Sequence, residues 1–99
     1  MDLAKFKQQP IIGIMRGVSF DIIDPLLETV IDTGLQTIEI TMNTAGAEQL
    51  IRHAVKKAAG RLTIGAGTVL DLESLQTALK AGATFVVLPT LVPEVVKYC

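Results

Sequence analysis

The sequence predicts an α/β fold built on a parallel sheet, and three features of its 99 residues support that prediction. Short runs of apolar, strand-forming residues alternate with segments whose apolar residues recur at helical spacing. Gly34, Gly60 and Gly82 follow three of these helical segments, where glycine commonly ends a helix. Another apolar run begins soon after each glycine, which is typical of βα units. The predicted order is therefore βαβαβαβ.

The first βα unit consists of the strand "IIGIM" and a helix whose apolar residues extend to Ile31. Pro25 would break an interior hydrogen bond if this helix began after Ser19. We therefore predict Asp24 as the N-cap, with Pro25 at the first helical position, where no N–H group is needed.

The later units follow the same pattern, with strands predicted in "TIEI", "LTIGA" and "TFVVL". The second helix carries its apolar residues between positions 47 and 58. The third runs from about Leu72 to Ala81, with Asp71 as its N-cap and Gly82 placed to end it. A fourth helix is predicted to begin near Pro93, which suits a first helical turn.

Four parallel strands alone would expose two sheet edges and leave the helical layer incomplete. An eight-stranded βα barrel takes roughly 200 residues or more. We therefore interpret residues 1–99 as the N-terminal half, about four βα units, of a single TIM (β/α)8 barrel domain. A small open doubly wound sheet is the competing architecture.

The composition argues against several classes of function. A net charge of −1 with no basic stripe predicts no nucleic-acid partner, and no apolar run approaches the roughly 18 residues that a membrane span needs. The single cysteine, Cys99, leaves no intrachain disulfide and favours a reducing, cytoplasmic setting. His53 is the only histidine and belongs to no cluster of metal-ligating residues, so we expect neither a metal nor another cofactor.

Active sites of both architectures lie at the carboxyl ends of the parallel strands. The residues at those ends are Arg16, the segment from Glu39 to Thr44, Thr68 after its two glycines, and Pro89. We therefore expect one cation, one carboxylate, one hydroxyl and one proline to face a common space.

Glu39 is the only acidic residue within the four apolar runs. An ionised carboxylate in a buried strand is costly, and burial raises a carboxyl pKa towards the range useful for proton transfer. The alternative interpretation is a carboxylate that ties down a loop amide. Arg16 can bind a carboxylate or phosphate through two N–H groups, while an ion pair with Glu39 is equally compatible with the sequence.

The stretch "GAGTVL" resembles a dinucleotide-binding fingerprint, but Leu70 occupies the third glycine position. Its glycines would instead allow a ligand to approach the backbone beside Thr68. His53 lies with Lys56 and Lys57 on the polar face of the second helix, so we expect a solvated surface residue.

Four segments together resemble the class I aldolases that cleave 2-keto-3-deoxy-6-phosphogluconate, its galactonate epimer, or 4-hydroxy-2-oxoglutarate. They have the order and spacing of that family, and the resemblance extends over the whole chain but over only about the first half of the family's barrel. The segments are "GIMRG" (13–17), "IEITMNT" (38–44), "IGAGTVL" (64–70) and "FVVLP" (85–89).

The resemblance implies a lyase that performs a retro-aldol cleavage through a Schiff base between a lysine and the keto group of the substrate, giving pyruvate and an aldehyde. Glu39 matches the family's acid/base residue, and Arg16 matches the arginine near the pyruvyl carboxylate. Thr68 and Pro89 match residues that line the pyruvate pocket. Asn43 stands where the gluconate enzymes often have arginine, which is closer to the galactonate branch.

The family's Schiff-base lysine lies on the sixth strand, beyond Cys99. None of the six lysines of this chain is predicted at the carboxyl end of a strand. We therefore expect these 99 residues alone to lack aldolase activity, as a fragment, a truncated gene product or part of a split barrel. By resemblance, the complete protein would be a cytoplasmic homotrimer that acts in carbohydrate or uronate breakdown.

Other classes of function remain open. One is a non-catalytic module that binds a keto acid or phosphate, and another is a half-barrel that pairs with a copy of itself. A metal-dependent aldolase is the enzymatic alternative, which the lack of a strand-end histidine disfavours.

Overall fold

The computed structural model describes all 99 residues, which form three parallel strands and five helices. The predicted α/β class is confirmed. None of the helices combines the length and apolar character needed to cross a bilayer. In chain order the elements are α1 (Leu3–Gln8), β1 (Gly13–Met15), α2 (Phe20–Thr33), β2 (Thr37–Thr41), α3 (Ala47–Ala58), β3 (Thr63–Gly67), α4 (Leu72–Ala81) and α5 (Pro93–Tyr98).

The strands lie side by side in the order β1-β2-β3, and in their register Ile14 is opposite Glu39 and Glu39 is opposite Gly65. A doubly wound sheet reverses its strand order at one point, and these three strands show no reversal. Right-handed crossovers that all run in one direction place their helices on one face of the sheet. The strand order is therefore consistent with a partial barrel and contains no switch point of the kind that defines a doubly wound sheet.

The fourth apolar run lies beside β3 but forms only a single parallel bridge, between Ala66 and Val86. Four backbone hydrogen bonds hold it there, including Ala66 N to Phe85 O at 3.0 Å and Val87 N to Ala66 O at 2.9 Å. This segment pairs on one side only, as an edge does. Three regular strands are thus formed in place of the four predicted, and a complete fourth βα unit stays a prediction.

The two faces of the sheet have different environments because successive side chains of a strand point to opposite faces. Ile38, Ile40 and Ile64 pack with α2, α3 and α4 in the buried apolar core. The opposite face carries Glu39 and Gly65, in the position of a barrel interior. The face of the sheet that carries the Glu39 carboxyl is therefore the face opposite the helices.

The predicted start of α2 is wrong, because the helix begins at Phe20 with Ser19 as its N-cap and includes Pro25. Proline inside a helix costs about 3 kcal/mol, whereas full burial of a side chain such as Ile23 contributes about 1.5–3 kcal/mol. Ile23 and Leu27 are both fully buried, and the backbone N–H of Ile23 donates to Ser19 O at 3.1 Å. Burial of this apolar face therefore outweighs the proline.

His53 lies at the surface with 36% of its side chain exposed, as expected, but it also makes contacts that the sequence did not predict. Its Nε2 lies 2.6 Å from Oδ1 of Asp24 on α2, and its ring meets the edge of Phe20 at a centroid distance of 5.8 Å. The hydrogen bond with His53 lowers the pKa of the Asp24 carboxyl. Asp24 therefore links α2 to α3 from inside the helix, where it cannot serve as an N-cap.

The boundaries of the later helices follow the sequence closely. Asp71 caps α4 by accepting from Ser74 N at 2.7 Å, and Gly82 ends it in the left-handed conformation with φ of 108°. Pro93 is the first residue of α5, as predicted. These boundaries were predictable because each depends on a local capping interaction.

The unpredicted helix α1 lies at the amino ends of the strands. The side chain of Gln9 joins it to the turn before β2, donating to Gly34 O at 3.0 Å and accepting from Gln36 N at 2.9 Å. The amino group of Met1 donates to Thr84 O, just before the fourth run. Residues 1–9 therefore connect strand starts at the end of the sheet opposite the candidate site.

Candidate functional site

Three polar side chains converge at the carboxyl end of the sheet. Arg16 directly follows β1, Asn43 comes two residues after β2, and Thr68 directly follows β3. Because the three strands are parallel and adjacent, their carboxyl ends lie at one edge. The structure thus brings together three of the residues that the sequence singled out.

The guanidinium of Arg16 is held by acceptors from two other strand ends. Its NH1 donates to Asn43 Oδ1 at 3.1 Å, and its NH2 donates to Thr68 Oγ1 at 3.3 Å. The side chain is exposed, and no carboxylate oxygen lies within ion-pair distance of it. Because a guanidinium carries five N–H donors, several remain available to an anion. The predicted alternative of an ion pair with Glu39 is not formed.

Glu39 lies in the middle of β2 with only 5% of its surface exposed. Burial raises the pKa of its carboxyl, and the positive charge of Arg16 opposes that rise. No protein group donates a hydrogen bond to the carboxylate within bonding distance. The alternative interpretation, a carboxylate that ties down a loop amide, is therefore not observed. A buried carboxyl with a raised pKa is suited to accepting and returning a proton.

The glycines of "GAG" provide space for protein groups. A Cβ built on Gly67 would lie 2.0 Å from Glu39 Oε1, and one built on Gly65 would lie 2.4 Å from Phe85 Cζ. The carboxylate of Glu39 and the ring of Phe85 therefore occupy the two spaces. This differs from the expectation that the glycines admit a ligand to the backbone beside Thr68, because the two side chains already fill that face.

A pair of buried hydroxyls that the sequence analysis did not single out supports the site. Thr44 Oγ1 accepts from the backbone N–H of Gly17 at 3.0 Å and lies 2.9 Å from Thr41 Oγ1. Thr41 is fully buried and Thr44 is 5% exposed. These contacts join the loop after β1 to the end of β2 and so fix the base of Arg16. A strand ending in threonines, "TMNT", was the available signal.

The remaining candidates make no hydrogen bond with Arg16. Pro89 is in an exposed bend beyond the bridge at Val86. No three His, Cys, Asp or Glu side chains come together anywhere in the structure. All six lysines are exposed and lie on helices away from the strand ends: Lys5, Lys7, Lys56, Lys57, Lys80 and Lys97.

The arrangement defines a class of protein: a parallel α/β fold of the TIM-barrel type, with a cation at the carboxyl ends of its strands and a protonatable carboxyl within the central strand. The family model for KDPG and KHG aldolase matches residues 3–99. The chain belongs to the KDPG and KHG aldolase family.

Individual relatives agree with this assignment. The 2-dehydro-3-deoxy-phosphogluconate aldolase of Treponema pallidum (strain Nichols) is 40% identical over 75 residues, which are 76% of this chain and 35% of the relative. The solved structure of native KDPGal aldolase superposes with a TM-score of 0.85 at 33% identity, covering 91% of this chain and 44% of that one.

A third relative is the KDPG aldolase of Legionella pneumophila, whose crystal structure contains pyruvate captured at low pH as a covalent carbinolamine intermediate. It superposes with a TM-score of 0.82 at 25% identity, covering 89% of this chain and 42% of that one. The chain thus spans less than half the length of each of these three relatives.

Proposed function

We propose that these residues form the N-terminal part of a Schiff-base, class I aldolase. It would cleave a 2-keto-3-deoxy-6-phospho sugar acid, or 4-hydroxy-2-oxoglutarate, to pyruvate and an aldehyde. The observation that carries the proposal is a fixed guanidinium and a buried carboxyl of raised pKa on neighbouring strands of one sheet. The covalent pyruvate adduct of the Legionella relative supports the same chemistry.

Each site residue has a proposed role. Arg16 binds the carboxylate of the pyruvyl part of the substrate through the N–H groups that the protein leaves unused. Glu39 moves protons during carbinolamine dehydration and at the carbon that gains or loses the bond. Thr68 and Pro89 line the pocket of the pyruvyl group. Asn43 contributes to substrate binding, and its presence favours a galactonate-type substrate.

In this proposal, the lysine that forms the Schiff base is not among residues 1–99. A Schiff-base lysine must be desolvated and close to its acid/base partner, and the six lysines here are exposed on helices. We therefore propose that the 99 residues bind a keto acid without cleaving it. Keto-acid binding without turnover is the second candidate function, and the same observation supports it for this chain taken alone.

Pyruvate binding to the purified chain tests the binding step. A titration followed by chemical shifts of strand-end amides should show saturable binding to the natural sequence. Arg16→Ala should abolish it, because it removes the only cation at the strand ends. Arg52→Ala provides the matched control, since Arg52 lies on the outer side of α3 and pairs with Glu48. Binding that survives Arg16→Ala would contradict the proposed site.

Substitution of the Glu39 carboxyl separates substrate binding from cleavage. Glu39→Gln should keep pyruvate binding, because the amide leaves Arg16 and its partners in place. In the aldolase, the same change should reduce cleavage by about 10²–10⁴-fold, the usual contribution of a positioned acid/base group. Unchanged cleavage in the complete enzyme would contradict the proposed acid/base role of Glu39.

Family membership supports three wider proposals for the natural protein. It acts on a small-molecule keto acid, it is a cytoplasmic enzyme of carbohydrate or uronate breakdown, and it assembles as a homotrimer. Sedimentation of the natural protein tests the proposed homotrimer and should give the mass of three subunits. A monomer at micromolar concentration would contradict the trimer.

A further inference from the structure

Two residues other than glycine have a positive φ: Ala59 at 50° and Thr68 at 54°. Ala59 is the C-cap of α3, a position where the left-handed conformation is common. Thr68 instead directly follows a strand, and a β-branched residue is the least suited to this region of φ/ψ space. The conformation of Thr68 is therefore strained and needs a separate explanation.

Contacts on both sides of Thr68 keep its backbone in place. The carbonyl of Gly67 accepts from Met42 N at 2.8 Å, and Val69 N donates to Val87 O at 3.2 Å. Val69 is also fully buried. The chain is thus fixed to β2 just before Thr68 and to the fourth run just after it, so Thr68 cannot relax without breaking these contacts.

The conformation directs the Thr68 hydroxyl towards the candidate anion site, where its Oγ1 accepts from NH2 of Arg16 at 3.3 Å. We propose that Thr68 is a positioning residue, whose strained backbone is maintained because it holds the Arg16 guanidinium ready for a carboxylate. The inference rests on the proposed function for the identity of that anion. Thr68 therefore acts through Arg16, in addition to lining the pocket.

A comparison of two glycine substitutions tests this inference. Thr68→Gly and Ala59→Gly both remove a side chain from a left-handed position, but only the first lies at the site. Both should raise the urea concentration at half-unfolding, since the strain is relieved. Thr68→Gly alone should weaken pyruvate binding, by about tenfold for one hydrogen bond to a charged group. Thr68→Ser, which keeps the hydroxyl, should retain binding.

Two further measurements keep the inference separate from the proposed function. The ¹⁵N-bound guanidinium protons of Arg16 should exchange faster in Thr68→Gly than in Ala59→Gly, whether or not pyruvate binds. Thr68→Asn repeats the stability test with a side chain that tolerates left-handed φ, and should also raise the midpoint. A natural chain that does not bind pyruvate would defeat the proposed function while leaving these two readouts valid.

Specific results would overturn the inference. Equal guanidinium exchange in the two glycine variants would show that Thr68 does not position Arg16. A lower urea midpoint in both Thr68→Gly and Thr68→Asn would show that the backbone there is not strained.

Discussion

Glu39 illustrates how a residue suited to proton transfer can oppose folding. Its carboxyl is buried in β2, and that burial raises its pKa above the unfolded value of 4.5. Between these two pKa values the folded state binds more protons than the unfolded state. Stability should therefore decrease as the pH rises from about 4.5 through the folded pKa and should stay lower above it.

A neutral isostere should remove this cost. We expect Glu39→Gln to raise the urea midpoint at pH 7 and to have little effect at pH 4, where the natural carboxyl is largely protonated in the folded state. Urea unfolding at both pH values, with a carboxyl NMR titration of Glu39, measures the effect. Glu73→Gln, at an exposed position on α4, is the control and should show no such gain. A destabilised Glu39→Gln at pH 7 would contradict the expected sign.

Gly67 shows how one residue can determine whether the carboxyl has room. A methyl group at this position would lie 2.0 Å from Glu39 Oε1, so Gly67→Ala must displace the carboxylate. We expect a loss of about 1–3 kcal/mol in the free energy of unfolding, the usual cost of overpacking. In a Glu39→Ala background, Gly67→Ala should reduce the free energy of unfolding by much less. A double-mutant cycle in urea measures this coupling, and additive losses would show that the two groups do not meet.

The sequence could single out candidate site residues but not how they pair. Strand ends and the isolated carboxylate were visible as a pattern, and they indicated Arg16 and Glu39. The partners of Arg16 lie 27 and 52 positions away, so they depend on the directions of side chains across three strands. Likewise, "GAG" indicates that space exists, but only the fold shows that Glu39 and Phe85 fill it.

At the scale of the element, α2 differs from its predicted start because tertiary burial outweighed a local rule. Pro25 has no backbone N–H, so the carbonyl of Asp21 lacks its usual helical hydrogen bond. We expect Pro25→Ala to stabilise the protein by roughly 1–2 kcal/mol, after allowance for the more flexible unfolded chain. Urea unfolding measures the change.

The control for this prediction lies elsewhere in the same chain. Pro93 is the first residue of α5, where a backbone N–H would have no helical partner. Pro93→Ala should therefore give no gain in stability. An equal change in stability for Pro25→Ala and Pro93→Ala would contradict the argument that an interior proline destabilises α2.

The helices whose bounds were predicted correctly are determined by local capping interactions. Those that were not predicted depend on contacts between residues far apart in the sequence. Asp71 and Gly82 define α4 through capping interactions within a few residues. Helix α1, in contrast, has no buried residue, and it is the residues flanking it, Met1 and Gln9, that contact distant parts of the chain. Periodicity alone could not have revealed it, because periodicity reports burial.

At the scale of the whole molecule, the chain combines the proposed strand-end anion site with two sheet edges that lack a pairing strand. The edge at β1 borders an apolar groove of about 330 Å³, and the edge at the fourth run borders another of about 460 Å³. In a closed barrel both grooves would be covered by further βα units. The two open edges are consistent with the partial barrel that the sequence predicts, because a βαβαβαβ order has fewer units than a closed barrel needs.

The distribution of lysines over the molecule gives the final prediction. Treatment with pyruvate and borohydride should leave the 10.6 kDa mass of the chain unchanged, because no lysine lies beside Glu39 and Arg16. The KDPG aldolase of Legionella pneumophila, treated in parallel, should gain one pyruvate-derived adduct if the proposed mechanism holds. An adduct on the 99-residue chain that disappears in Arg16→Ala would contradict the assignment of the amine to residues outside it. An adduct indifferent to Arg16 would mark ordinary reaction at a surface lysine, which peptide mapping would locate on one of the helices.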